Sequence, residues 1–135
     1  MAVHVGDWSH EATFEALPIS ASQARTFVSG HLVDHRLPHL LDAARVVVSE
    51  LATNALVHAR TAFIVTLAGA DQTLLLTVRD GSARLPSRTP TQAMDTSGRG
   101  LEIVGMLSLD WGIDQDVAGS KSVWAAFAMR DDQEA

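Results

Sequence analysis

The sequence contains no cysteine. A disulfide scaffold, a thiolate metal site and a cysteine nucleophile are therefore excluded. Basic residues are also scarce: lysine occurs once, at Lys121, beside nine arginines, and the net charge is −6. A protein that binds duplex nucleic acid needs a basic face for the phosphates. The charge balance therefore argues against nucleic acid as a partner.

Long hydrophobic runs are missing too. No stretch approaches the roughly 20 apolar residues that a membrane-spanning helix needs. The N-terminus has neither the basic start nor the apolar run of a signal peptide. Hydrophobic residues make up 47% of the 135 residues and charged residues 19%, as in a globular protein. We therefore expect one cytoplasmic domain over 1–135, without a membrane partner.

The hydrophobic pattern predicts a mixture of strands and helices. The expected order is a strand over 11–17, helices over 20–34 and 38–59, strands over 62–68 and 73–79, a helix over 99–107, and strands around Trp111 and Ala125. Ser20-Ala21-Ser22-Gln23 has the pattern of a capping box, and Pro38 suits the first position of a helix. Short turns at 69–72 and 117–120 join neighbouring strands. These features predict an α+β fold, a two-layer sandwich whose mostly antiparallel sheet carries helices on one face.

The helix predicted over 38–59 has three polar residues along one flank. Glu50, Asn54 and His58 are spaced at i, i+4 and i+8. Four apolar residues share that flank, namely Ala43, Val46, Val47 and Val57. A carboxylate and an amide within an apolar stripe are costly unless they have partners. A pocket that holds a ligand or a metal ion would supply such partners.

Two further segments complete a candidate nucleotide pocket. Asp80 follows a predicted strand, where its carboxylate could accept a hydrogen bond from an adenine amino group, or could form a turn before Gly81. Gly98 and Gly100 open a predicted helix. Its free N–H groups could bind phosphate oxygens, or the glycines could form a plain helix entry. A carboxamide, a strand-end aspartate and a Gly-x-Gly together suggest nucleotide binding.

A long loop over 81–98 separates these two segments. It includes Gly81, Pro86, Pro90 and Gly98 together with several serines and threonines. A loop of this length within a small domain is usually either a functional lid or a disordered segment. We expect residues 84–97 to form a lid over the pocket.

Taken in order, these motifs resemble those of the Bergerat-fold ATPases, which include the ATP domains of gyrase, heat-shock chaperones and histidine kinases. The closer resemblance, over roughly 11–129, is to the anti-sigma-factor serine kinases of bacteria. Four segments resemble the family's N box and three glycine boxes: Glu50-Leu51-Ala52-Thr53-Asn54-Ala55, Val78-Arg79-Asp80-Gly81-Ser82, Ser97-Gly98-Arg99-Gly100-Leu101 and Gly119-Ser120-Lys121-Ser122-Val123-Trp124. The first glycine box departs from the family's Asp-x-Gly-x-Gly, because residues 82 and 84 are Ser and Arg.

The resemblance implies a site for ATP and Mg²⁺. Asn54 would be the metal ligand, although the backbone could instead satisfy its amide. Asp80 would contact adenine, with Ser122 helping to hold a bridging water. His58 could contact a phosphate or, as an imidazolium, complement the helix dipole. The remaining nucleotide contacts would come from Ser82, Ser97, Gly98, Arg99, Gly100 and Leu101, with Arg99 pointing either to phosphate or to solvent.

The resemblance also implies an activity. The protein would bind a sigma factor and phosphorylate an antagonist protein on Ser or Thr, with Glu50 as the general base, and it could form a homodimer. Glu50 could instead be a structural carboxylate. Two other functions stay open: a module that sequesters a partner without catalysis, and an ATP domain separated from a sensor histidine kinase. The predicted elements include no phosphoacceptor helix, which disfavours the last.

Overall fold

The computed structural model describes residues 7–81, 99–115 and 119–130. Five strands form one sheet in the order β1-β2-β3-β5-β4, and all neighbouring strands are antiparallel. The strands are β1 (Trp8–Phe14), β2 (Phe63–Ala70), β3 (Thr73–Asp80), β4 (Asp110–Gln115) and β5 (Lys121–Ala128). The helices are α1 (Ile19–Asp34), α2 (Leu41–Asn54) and α3 (Arg99–Leu107). The predicted α+β sandwich is confirmed.

The hydrophobic core lies between the sheet and the helices. Alternate residues of each central strand point inward, because successive side chains of a strand point to opposite faces. The inward residues of the two central hairpin strands are Phe63, Val65, Leu67, Leu74, Leu76 and Val78, each at most 2% exposed. They meet Val28 and Leu32 of α1 and Val47, Val48 and Leu51 of α2 in one buried cluster. The inward faces predicted for β2 and β3 are therefore confirmed.

The predicted capping box at the start of α1 is wrong. The helix begins at Ile19 after Pro18, and no side chain caps it. Ser20 is buried, and its hydroxyl donates a hydrogen bond of 2.7 Å to the carbonyl oxygen of Glu15. The serine therefore fixes the chain between β1 and α1 instead of satisfying the first N–H groups of the helix. β1 also lies three residues earlier than the predicted strand over 11–17.

The second predicted helix is divided into three parts. A 3₁₀ turn over Pro38–Leu40 leads into α2, and a π-helical turn over Ala55–Ala59 follows α2. The π-helical turn closes with a 2.8 Å hydrogen bond from the Arg60 N–H to the Ala55 carbonyl oxygen, and Arg60 has a left-handed backbone (φ 58°). Single π-helical turns occur often at functional sites. Here the turn contains His58, so the 3.6-residue period that aligns Glu50 with Asn54 does not extend to it.

The hairpin between β2 and β3 is tighter than predicted. Ala70 pairs with Thr73, so the connection is only Asp71-Gln72, and both residues have positive φ (53° and 67°). Two left-handed residues in succession form the kind of turn that matches strand twist.

Within the described helices, none has the length and apolar character required to cross a bilayer.

Three histidines and a tryptophan form a cluster between β1 and α1. His10 Nε2 lies 2.9 Å from His35 Nε2, and the His10 ring stacks on His31 with centroids 3.8 Å apart. Trp8 stacks on His35 at 3.6 Å. Burial lowers the pKa of both His31 and His35, and the nearby charge of His10 lowers both further, while Asp34 acts in the opposite direction. Adding protons to this cluster therefore opposes folding.

We expect the free energy of unfolding to decrease as pH falls below about 6.5, the ordinary histidine pKa. The folded pKa values of His31 and His35 are lowered, so the unfolded chain binds more protons than the folded chain in this range. The stabilisation from these two histidines is complete at pH values above the pKa of the unfolded chain. It is lost as pH falls toward the lowered pKa values of the folded chain. Urea unfolding between pH 5 and 8 measures it. His31→Gln/His35→Gln should flatten the profile, whereas His39→Gln, outside the cluster, should not. Parallel profiles for the double variant and the parent would contradict the assignment.

Candidate functional site

The structure brings the flank of α2 against the beginning of α3. A Cβ atom placed on Gly100 would lie 3.0 Å from Glu50 Oε1 and 3.9 Å from both Nδ2 and Oδ1 of Asn54. A side chain at position 100 would therefore press on the Glu50 carboxylate. Two motifs that lie far apart in the sequence are thus neighbours, and glycine is the residue that permits the contact.

The Glu50–Asn54 flank is more open than the sequence pattern predicts. Glu50 and Asn54 are both half-buried. Val47 is fully buried, but Val46 and Val57 on the predicted apolar stripe are 41% and 49% exposed. The two polar side chains therefore lie at the boundary between the core and solvent, where a water-soluble ligand can reach them.

The first turn of α3 faces these two polar groups. The leading N–H groups of a helix have no partner within the helix, and the helix dipole adds partial positive charge at this end. Gly100 is buried, so its backbone forms part of the wall next to Glu50 and Asn54. Leu101 packs against the hydrophobic core and holds the turn in place. The arrangement of amide, carboxylate and helix N-terminus is suited to a phosphate group with its metal ion.

Asp80 lies at the end of β3 and is paired with a residue that the sequence analysis did not identify. Its register partner on β5 is Lys121, and Lys121 Nζ lies 3.6 Å from Asp80 Oδ2. Both side chains are only 3% exposed. The next residue, Gly81, donates its N–H to Thr61 Oγ1 at 3.0 Å, which connects the end of β3 to the segment before β2.

Sequence alone offered a signal for Lys121. It continues the inward alternation of Val123, Ala125 and Phe127, so a lysine stands at a position where the pattern requires a buried residue. A buried ammonium group needs a partner, and the chain's one lysine was therefore a candidate for an internal ion pair. Its partner could not be identified without the strand register.

The structure does not bring Ser122 together with Asp80. Ser122 lies between two inward-pointing residues, Lys121 and Val123, so its side chain is on the other face of the sheet. The alternation of β5 therefore gives no support to a bridging role for Ser122, and that role stays a prediction. Lys121 occupies the position next to Asp80 on the helix-covered face.

His58 is on the π-helical turn after α2. Burial lowers its pKa, and the positive charge of Lys121 lowers it further. Both effects disfavour the imidazolium form that would complement the helix dipole, and the two roles considered for His58 stay predictions. The turn that contains His58 packs against β3, the strand that ends at Asp80.

The structure describes only some of the other residues predicted to contact the nucleotide. Arg99 is the first residue of α3. Ser82, Ser97 and Gly98, together with the lid predicted over 84–97, lie outside the described residues.

Comparison with known proteins identifies a family and a similar solved structure. Residues 14–127 match the model of the histidine kinase-like ATPase domain. The fold is similar to the crystal structure of the RsbU and RsbW domains of Rv1364c from Mycobacterium tuberculosis, with a TM-score of 0.70 and 18% sequence identity. The match covers 90% of this chain but 32% of that one, so this chain spans about a third of its length. No curated protein sequence is significantly similar to this chain.

Proposed function

Because this chain belongs to the histidine kinase-like ATPase domain family, we propose that it is an ATP-dependent regulatory kinase that phosphorylates a protein on Ser or Thr. The observation that carries the proposal is the approach of the α3 N-terminus at Gly100 to Glu50 and Asn54. Groups suited to metal binding, phosphate binding and proton transfer would then lie side by side. Phosphoryl transfer depends mainly on such positioning and on charge stabilisation.

Asn54 and the first turn of α3 would bind the phosphate end of the nucleotide. The amide oxygen of Asn54 is a hard ligand of the type that Mg²⁺ prefers, and the absence of a side chain at Gly100 lets the first turn of α3 lie close to it. A bound Mg²⁺ would neutralise phosphate charge. The N–H groups of α3 would stabilise the charge that develops on the phosphoryl oxygens.

Glu50 would act on the incoming hydroxyl. The Ser or Thr oxygen forms a bond to the γ-phosphorus while the bond from that phosphorus to the β-bridging oxygen breaks, and ADP leaves. The hydroxyl proton passes to the Glu50 carboxylate. Glu50 is one turn before Asn54 on α2, so its carboxylate would lie beside the proposed phosphate site without holding the metal.

Partners follow from the same proposal. We infer a sigma factor and an antagonist protein, with the antagonist as the phosphorylation substrate and a homodimer as the assembly that could present both surfaces. The solved relative supports regulation of this kind, because it combines an RsbU domain and an RsbW domain. The similarity extends to the fold, and the identities of the partners are part of the proposal.

A second function is a module that binds a partner without catalysis. Two observations favour it: the first glycine box lacks the glycines expected at 82 and 84, and the carboxylate expected to contact adenine is in an ion pair with Lys121. A protein of this kind would hold its partner equally well in the presence and absence of ATP.

The proposed site predicts that Asn54→Ala removes the magnesium-dependent part of ATP affinity. Titration calorimetry with and without Mg²⁺ measures both parts on one preparation. Thr53→Ala is the matched control, because Thr53 is the preceding residue of α2 and is exposed. If Asn54→Ala binds MgATP as tightly as the parent, Asn54 is not the metal ligand. If the parent binds no ATP, the ATP-dependent proposal itself fails.

A further inference from the structure

The turn from α3 into β4 exposes three apolar side chains, Met106, Leu107 and Leu109, which we call the α3–β4 patch. Met106 and Leu109 are 76% and 73% exposed, more than any other large hydrophobic residue in the described part of the chain, and Leu107 is 39% exposed. A single exposed leucine is ordinary on a protein surface. Apolar residues that are concentrated in one exposed patch instead mark an interaction site.

The backbone of this turn is held in place by hydrogen bonds. The N–H and the hydroxyl of Ser108 both donate to the carbonyl oxygen of Val104, at 3.0 and 2.7 Å, and the Leu109 N–H donates to a carbonyl oxygen of β5 at 2.7 Å. Gly105 lies close against Trp111, because a Cβ on Gly105 would come within 3.0 Å of the indole nitrogen. The patch is therefore presented on ordered backbone, which lowers the entropic cost of binding a partner.

The border of the patch is acidic. Asp110 follows Leu109 directly, Asp114 lies further along β4, and both aspartates are exposed. Residues 100–115 include no lysine, arginine or histidine. Asp110 Oδ1 accepts a hydrogen bond of 2.9 Å from the N–H of Trp111, which holds this carboxylate at the start of β4. Basic residues on a partner would therefore complement the charge beside the patch.

These features distinguish between the occupants that could cover the patch. A second copy of this chain would bring its own Asp110 to the same border, and a stable dimer buries about 800 Å² on each partner, far more than three side chains expose. An anionic membrane surface would be repelled by the aspartates. A helix with apolar residues on one face and basic residues on its flank matches both the patch and its border. Methionine favours such a contact, because its flexible side chain adapts to the apolar face of a partner.

We propose that the α3–β4 patch is a docking site for a basic amphipathic helix of a partner protein. Met106 and Leu109 pack against the apolar face of that helix, and Asp110 pairs with a lysine or arginine on its flank. The patch lies at the opposite end of α3 from Gly100, about 10 Å away along the helix, so it is separate from the proposed nucleotide site. The inference goes beyond the proposed function and does not depend on it.

A labelled model peptide tests the proposal by fluorescence anisotropy on the full chain. The probe is a peptide of about 14 residues, roughly four helical turns, with leucine at i, i+3, i+4 and i+7 spacing and lysine elsewhere. Met106→Gln/Leu109→Gln keeps similar side-chain lengths outside the core. It should weaken peptide binding tenfold or more, since burial of one such side chain contributes about that factor. Asp110→Asn should weaken binding a few-fold and reduce its dependence on salt.

Two controls distinguish the patch from general attraction to an acidic protein. Ile19→Gln/Val33→Gln replaces two apolar residues of α1 that are 56% and 58% exposed, and it should leave the peptide affinity within twofold of the parent. A second peptide, with glutamate in place of lysine, should bind the parent at least tenfold more weakly, because it brings like charge to Asp110. The comparison of the two peptides needs no variant, so it holds even if a variant does not fold.

Four results would overturn the inference. In the first, the parent does not bind the lysine peptide. In the second, Met106→Gln/Leu109→Gln binds it as tightly as the parent, so the contact lies elsewhere. In the third, the glutamate peptide binds equally well, so charge does not select the partner. In the fourth, sedimentation shows that the parent is a dimer and that Met106→Gln/Leu109→Gln is a monomer, so the patch is a contact between copies of this chain. Because no nucleotide is present in these measurements, their failure is distinguishable from a failure of the proposed function.

Discussion

Asp80→Asn should lower the free energy of unfolding by about 3–5 kcal/mol, the scale for breaking a buried ion pair from one side. The substitution is nearly isosteric, so it creates no cavity and removes chiefly the negative charge opposite Lys121. The ammonium group would then stay buried, 3% exposed, without its counter-charge at 3.6 Å. Urea unfolding monitored by tryptophan fluorescence would measure the change, with the slope m reporting whether the compactness of the unfolded chain also changes.

A double variant distinguishes the effect of the unpaired charge on Lys121 from the effect of changing the side chain at position 80. Asp80→Asn/Lys121→Met removes both charges while keeping similar volume, so it should recover most of the lost stability. Asp114→Asn is the matched control, because it is an exposed aspartate on β4 next to the same strand, and it should change stability by less than about 0.5 kcal/mol. Two results would show that Asp80 and Lys121 are not a closely coupled ion pair. In the first, Asp80→Asn is as stable as the parent, and in the second, the double variant is no more stable than Asp80→Asn.

This expectation affects how nucleotide binding by Asp80 variants should be read. A loss of ATP binding by Asp80→Asn follows from unfolding as readily as from loss of an adenine contact. Only a change in the ratio between nucleotides, or a loss that persists in the stabilised double variant, identifies a role in base recognition. The buried pair thus couples the stability of the β3–β5 junction to the chemistry of the proposed site.

The strands could be predicted from sequence because local pattern and tertiary burial agree in them. In β2 and β3 the alternation that puts Val65 and Leu76 inward is a property of the strand itself. The hairpin was misplaced because glycine suggested a turn at Gly69. There the glycine is required by packing, since a Cβ would lie 2.6 Å from the Trp8 ring. That contact depends on β1, which is remote in sequence.

The sequence predicts which residues belong to the candidate site, but it does not predict which of them lie next to each other. Glu50, Asn54 and Gly100 were identified by motif, and the contact between them arises from the packing of α2 on α3. The Asp80–Lys121 pair could not be predicted, because it depends on the register between β3 and β5. The alternation of β5 turns the Ser122 side chain to the face opposite Asp80, and the role that the motif implies for Ser122 stays a prediction.

Glu50→Gln should leave MgATP affinity nearly intact and reduce phosphoryl transfer to a partner protein by about 10²-fold or more. The carboxylate is proposed to accept the proton of the incoming hydroxyl, a task that the neutral amide cannot perform. The change is close to isosteric, and Glu50 is half-buried beside Gly100 without being part of the hydrophobic core, so the fold should persist. Calorimetry for binding and transfer of labelled phosphate to a candidate antagonist would be measured on one preparation.

Glu102→Gln is the matched control for this experiment. It makes the same change of charge in the first turn of α3, but Glu102 is exposed. Its transfer rate should stay within a few-fold of the parent, since an exposed charge is screened by water and salt. If affinity and rate fall together in Glu50→Gln, the carboxylate belongs to the metal or phosphate shell. If the parent binds MgATP and transfers no phosphate to any partner, the binding module is the correct function, and the role of Glu50 is then to set the position of the α3 N-terminus through its contact with Gly100.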